Sequence, residues 1–399
     1  MLRAGSAVAS QVISSATNFL AMAAVAHGSS AELFGIWSIL YATMIFVVSI
    51  ARGTIGTALV LRARDLDGDI APHQAFTLAT PLLGAQLVIC VAISLVSVAS
   101  PVLTILFFGA SVGGLLEDVS RYVAFSRGRP GLALVGDTLW FLTMAAPLAL
   151  LAASESLNAI TASLSWGAGA WVGALGLAIG LRSHGSGLPT LRQLYRSLAG
   201  DLRVLLGESL TQGTSVLLVP FIAAATASPA VAGALRGGLT LFGPQAAVAA
   251  GLVPLGLRAF SARARPHQGY PPGLILWVLA VGGFTASYSA AVVFLISPFG
   301  TAILGETWLL TEQIVAPIAL AAVLDAIAIG LQMQLRIAGR LVDLRTLTIV
   351  VAATSLPAFA VAGAAWGLRG VGWAWALRSV LLVVASAFAY VTNIRRGDS

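Results

Sequence analysis

Apolar runs of twenty or more residues recur from one end of this 399-residue chain to the other, separated only by short clusters of charge, Gly-Ser or proline. A helix of that length reaches across about 30 Å of hydrocarbon, whereas a barrel strand needs only about 10 residues of alternating character. Charged residues make up 9% of the chain and apolar ones 58%. That is too little charge to clothe a water-soluble domain, a coiled coil or a disordered segment. The chain reads as an all-α polytopic membrane protein. Its single cysteine, Cys90, excludes a disulfide within the chain and a cysteine metal centre.

Cutting the sequence at the interruptions gives twelve spans, at residues 4–26, 33–60, 76–99, 102–124, 130–152, 158–181, 204–225, 229–256, 273–297, 313–335, 343–365 and 370–393. The first also fits a signal peptide, since Arg3 precedes an apolar stretch ending Ala24-Val25-Ala26. It is longer than such segments usually are and has a counterpart later in the chain. All 22 basic residues are arginine. With the N-terminus inside, eighteen of them fall at inner connections, and the outer ones keep Arg369 with Glu32, Glu155, Glu306 and Glu312. Short cytoplasmic loops retain positive charge, so both termini are expected on the cytoplasmic side of the plasma membrane. The formal charge of +7 is accounted for by topology and gives no reason to expect a nucleic-acid partner.

The chain also matches itself. Ser30 and Gly35 pair with Ser228 and Gly233, Leu61-Arg62 with Leu257-Arg258, Ser100-Pro101 with Ser297-Pro298, and Gly128-Arg129 with Gly339-Arg340, in the same order and at similar offsets. A duplication of six spans inserts both halves the same way up, related by an axis along the membrane normal. The expected organisation is an N-terminal six-helix bundle over 1–182, a cytoplasmic linker over 183–203 and a C-terminal six-helix bundle over 204–399. The linker spaces Leu188, Leu191, Leu194, Tyr195 and Leu198 as an interfacial helix would, although a plain linker also fits.

Several stretches resemble the polysaccharide flippase branch of the multidrug/oligosaccharidyl-lipid/polysaccharide (MOP) exporter superfamily, particularly actinobacterial members. They are DVSRYVAFSRGRPGLALVGDTLW from Asp118, AGALRGGLTLFGP from Ala232, SQVISSATNFL from Ser10, SIARGTIGTALVLR from Ser49, LQMQLRIAGR from Leu331 and WGLRGVGWAWAL from Trp366. The resemblance spans most of the chain but rests on packing patterns, not on a catalytic signature. It implies twelve helices in two six-helix bundles and transfer of a lipid-diphosphate-linked saccharide from the inner to the outer leaflet. It also implies partner enzymes that assemble and polymerise the glycan, and no cofactor.

An arginine at the centre of a span costs at least about 2.5 to 3.5 kcal/mol, so those that remain normally face water or an anion. Arg52, Arg236 and Arg378 lie in spans 2, 8 and 12. Guanidinium forks bind phosphate oxygens bidentately, which makes these three the substrate-binding candidates, with Arg52 and Arg236 clamping the diphosphate. The plainer readings are snorkelling for Arg52 and a salt bridge for Arg236, while Trp373 and Trp375 near Arg378 mark an interfacial belt. Asp325, at mid-depth in span 10, is the ion-coupling candidate, or else the partner of a buried arginine. Glu117 and Asp118 are spaced to pair with Arg121, and Asp137 and Glu208 sit near helix starts, where the dipole favours a carboxylate.

Two other functions compete. A multidrug or cation antiporter of the same superfamily would share the fold and is expected to carry carboxylates in its first bundle, where span 1 offers Gln11, Thr17 and Asn18. A membrane glycan ligase or polymerase needs acids or bases on a sizeable outer loop, and the longest one holds only Glu306 and Glu312. The four histidines, His27, His73, His184 and His267, fall in separate connections without ligand spacing. No catalytic residue or metal site is expected.

Overall fold

The computed structural model describes residues 2–61, 70–96, 100–182, 190–246, 248, 272–337 and 340–397. Every regular element among them is helical. Nine helical stretches among the described residues are long and apolar enough to cross a membrane. The last of these, Val342–Thr392, is broken at Gly367, whose φ of 55° is the left-handed conformation glycine adopts without strain. Spans 11 and 12 therefore form a hairpin within it. Of the expected spans, 7 and 8 fall short of the nine: they contain Leu217–Thr226 and Pro229–Leu241, and the rest of span 8 lies largely outside the described residues. The protein is a multi-pass α-helical membrane protein.

The chain divides into two compact units, Met1–Leu217 and Leu218–Ser399. In the first, α1 is Leu2–His27, α2 Ala31–Ala51, α3 Thr57–Leu61, α4 Pro72–Val96, α5 Pro101–Ser126, α6 Pro130–Ala153 and α7 Ala159–Gly180. The starts follow local chemistry. Ser30 caps α2 by accepting from the Leu33 amide, Pro101 and Pro130 open α5 and α6, and Asn158 with Thr161 forms a capping box on α7. The helix α8, Leu191–Thr226, runs without a break from the stretch expected to be interfacial into span 7. Its Leu194 and Leu198 are fully buried.

An aromatic core locks the first bundle. Trp37 stacks on Tyr41 at 5.1 Å and meets Phe107 edge-on at 5.7 Å, while Trp166 touches both Phe107 and Trp140. Their indoles are held as buried indoles must be: Trp37 Nε1 donates to Ser163 Oγ at 2.8 Å and Trp140 Nε1 to the Trp166 carbonyl at 3.0 Å. The glycine faces of α7 serve packing. A side chain at Gly169 or Gly173 would meet Trp140, and one at Gly176 or Gly180 would meet Leu139 or Leu132.

In the second unit α9 is Pro229–Leu241, α10 Pro272–Leu295, α11 Ser297–Leu304, α12 Trp308–Ile337 and α13 Leu341–Gly397. The pivot is α12, which packs on α9, α10 and α13. Gly237 and Gly238 allow α9 to lie against Thr311 and Ile318 of α12.

Candidate functional site

Between α2 and α3 the helix continues through a π-helical turn, Arg52–Gly56. The local sequence is Arg-Gly-Thr-Ile-Gly, and both glycines are required by their neighbours. A Cβ on Gly53 would overlap Ser209 Oγ of α8, and one on Gly56 would stand 2.7 Å from the Tyr122 ring of α5. The turn is therefore held between two helices at close approach, and Arg52 is its first residue.

Arg52 projects onto Asp118 of α5. Its Nη2 donates to Oδ1 at 2.6 Å and its Nε to Oδ2 at 3.4 Å, a forked arrangement on one carboxylate. The Asp118 side chain is 3% exposed, whereas that of Arg52 is 40% exposed. The same Oδ1 also accepts from Arg121 Nη2. Arg121 lies 3.6 Å from Glu117 Oε2 and 3.7 Å from Asp137 Oδ1, and Asp137 Oδ2 accepts from Ser10 of α1. Glu117, Asp137 and Ser10 are fully buried.

Five charged side chains from three elements thus form one network, with three carboxylates around two guanidiniums. Of the five, Arg52 alone is substantially exposed. Arg121, counted among the inner connections in the sequence, is buried in the bundle at 4% exposure. Asp137, read from the sequence as lying near a helix start, is engaged by side chains and not only by the dipole. It is the eighth residue of α6 and fully buried, in an apolar helix where only a specific partner justifies a charge. The signal available in the sequence was the stripe Ser10, Ser14 and Thr17, polar at helical spacing and all buried. The Glu208 side chain lies outside the described residues.

In the second unit Asp325 of α12 and Arg378 of α13 meet at 3.4 Å, with the guanidinium 5.4 Å from the centre of the Trp375 ring. Asp325 also lines a cavity of about 140 Å³ with Gln245, Thr285 and Trp375, and its Oδ1 has no hydrogen-bond partner among the described residues. Arg236 is half-buried on α9, its carbonyl accepting from Thr240 Oγ1 at 2.8 Å, and it interacts with its surroundings. All three sequence-selected arginines are therefore engaged within the protein. Among the described residues no group of histidine, cysteine or acidic side chains is arranged to hold a metal.

No protein-family profile matches the chain, and no curated protein does. Solved structures do. The lipid II flippase MurJ in an inward closed conformation superposes with a TM-score of 0.70 at 12% identity, over 99% of this chain and 90% of that one. A MOP superfamily transporter from Pyrococcus furiosus, whose binding pocket is described as reversed in polarity, gives 0.69 at 14% identity over 100% and 95%. An inward-facing multidrug resistance MATE family transporter gives 0.64 at 13% identity over 97% and 94%. At such identities the likeness is one of fold alone, shared with these three transporters over nearly the whole of each chain.

Proposed function

We propose that the chain is a secondary transporter that flips a lipid-diphosphate-linked saccharide from the inner to the outer leaflet by alternating access of its two bundles. The observation that carries this reading is the exposure of Arg52 in front of a buried carboxylate set. Asp118 holds the Nε and Nη2 edge of Arg52, so what the network offers to a ligand is the other edge of the same guanidinium, Nη1 with the second Nη2 hydrogen, a donor pair that matches phosphate oxygens. Arg236 and Arg378 are assigned to the same cargo from the second bundle, and Asp325 to ion coupling. A lipid II flippase shares the fold, which is in keeping with a phosphorylated lipid cargo. Enzymes that build the saccharide and polymerise it would supply and consume that cargo.

The buried acids favour a second reading. Glu117, Asp118 and Asp137 put three carboxylates in the first bundle, the feature expected of a cation-coupled drug exporter, though donated by α5 and α6 and not by span 1. One experiment separates the two. On depletion of the protein, lipid-linked saccharide is expected to accumulate on the inner leaflet. The wild-type chain should clear it, and Arg52→Ala and Arg236→Ala at equal membrane abundance should not. Full clearance by both variants would retire the clamp. Unchanged lipid-linked saccharide together with raised drug sensitivity on depletion would establish the exporter.

A further inference from the structure

The hairpin of α13 carries a feature that neither reading uses. On either side of Gly367 its two arms enclose a slot of about 760 Å³. The floor is made of small groups, Ala362, Gly370 and Ala374, and the arms touch there: a Cβ on Gly370 would overlap the Ala362 carbonyl. Trp366, Trp373 and Leu377 form the walls, and the two indoles are 70% and 59% exposed. From Trp366 back to Ala358 on one arm, and from Arg369 on to Leu377 on the other, is eight residues, or about 12 Å at 1.5 Å per residue. The slot is therefore apolar along its length and polar at one end.

That end is Arg369. It is exposed, lines the slot beside the turn, and makes no ion pair among the described residues. An apolar trough about 12 Å deep, against about 15 Å of hydrocarbon in one leaflet, with indoles and one uncompensated guanidinium at its mouth, is complementary to a single lipid: chain in the trough, phosphate at the arginine, indoles at headgroup level. We propose that the Gly367 hairpin is a binding site for an anionic glycerophospholipid, separate from the transport residues Arg52, Arg236, Arg378 and Asp325.

The test uses the full chain in phosphatidylcholine nanodiscs doped with either acyl-brominated phosphatidylglycerol or acyl-brominated phosphatidylcholine, read by tryptophan quenching. The chain has nine tryptophans, so the difference between wild type and Trp366→Phe/Trp373→Phe isolates the two at the slot. Their quenching should favour phosphatidylglycerol about fivefold, the preference one arginine near an anionic headgroup confers, and Arg369→Gln should remove that preference while quenching by phosphatidylcholine persists. Equal quenching by both lipids in the wild type would mean bulk bilayer only. A preference that survives Arg369→Gln would place the headgroup elsewhere. Absence of quenching by either lipid would mean that protein, from a second copy or another chain, fills the slot. Any of these three results overturns the site.

Discussion

Arg52 and Asp118 lie 2.6 Å apart across the first bundle, one 40% exposed and the other 3%. That asymmetry separates what each contributes. Asp118 is shared with Arg121, so removing it leaves two guanidiniums without their common partner, one of them buried. Asp118→Ala should lower stability by about 3 to 5 kcal/mol, the cost of breaking a buried ion pair from one side. Arg52→Ala leaves Asp118 with Arg121 and should cost under about 1 kcal/mol, as a partly exposed pair does, while abolishing clearance of the lipid-linked saccharide. Thermal unfolding in detergent, set beside the leaflet assay, checks the opposite ordering of the two effects.

The π-turn glycine offers a rescue experiment. Gly53→Ala forces its new methyl into Ser209 and should destabilise by about 1 to 3 kcal/mol, the usual penalty of overpacking. Ser209→Gly removes both the hydroxyl and the Cβ, leaving the nearest remaining Ser209 atom, its Cα, 4.0 Å away. The double variant should recover most of the loss in melting temperature, and failure to recover would show that Gly53 is needed for its backbone and not for space.

Arg127 and Arg129 sit two residues apart in the α5–α6 connection and should behave differently. Arg127 donates to the Leu181 carbonyl at 2.7 Å and to the Ile70 carbonyl at 2.6 Å, tying the end of α7 to the start of α4. Arg129 is exposed, and no ion pair or side-chain hydrogen bond ties it among the described residues. Arg127→Ala should cost about 1 to 3 kcal/mol, the worth of charged hydrogen bonds to carbonyls, whereas Arg129→Ala should leave unfolding unchanged.

For Asp325 and Arg378, both partly exposed at 32% and 24% of their side chains, a double-mutant cycle of Asp325→Asn with Arg378→Gln should report a coupling of about 0.5 to 1 kcal/mol. If Asp325 also couples an ion, Asp325→Asn should leave transport that no longer responds to the ion gradient. A variant that keeps the full gradient response would remove Asp325 from that role.

Much of this was legible in the sequence, and for a common reason. Apolar runs set the helices, and i,i+3 and i,i+4 spacing placed Glu117 and Asp118 on Arg121 within a single helix. Gly169, Gly173, Gly176 and Gly180 recur at the spacing of a close-packing helix face, and all four lie against α6. Interactions between helices were harder to read. Arg52 meets Asp118 across 66 residues of sequence and Ser10 meets Asp137 across 127. Each such meeting depends on how a helix is rotated about its own axis. In segments apolar on nearly every side, the hydrophobic pattern scarcely encodes that rotation. Asp325 and Arg378 were both found by their depth in the membrane, but depth alone did not join them. The π-turn was hidden as well, because Arg-Gly-Thr-Ile-Gly is ordinary as composition, and the close approach of Ser209 and Tyr122 that its glycines permit comes from helices distant in sequence.

A π-turn stores one more residue than the regular ladder takes up. Were Arg52–Gly56 to surrender it, Thr57–Leu61 would revolve by about 100° relative to Ala31–Ala51, one residue's worth of phase at 3.6 residues per turn. The side chain at the head of that swivel is the one gripped by Asp118. On the proposed function, a phosphate that drew the guanidinium from its carboxylate would act at the first residue of this turn, so that cargo recognition and the rotation of a whole helix end would share a single residue.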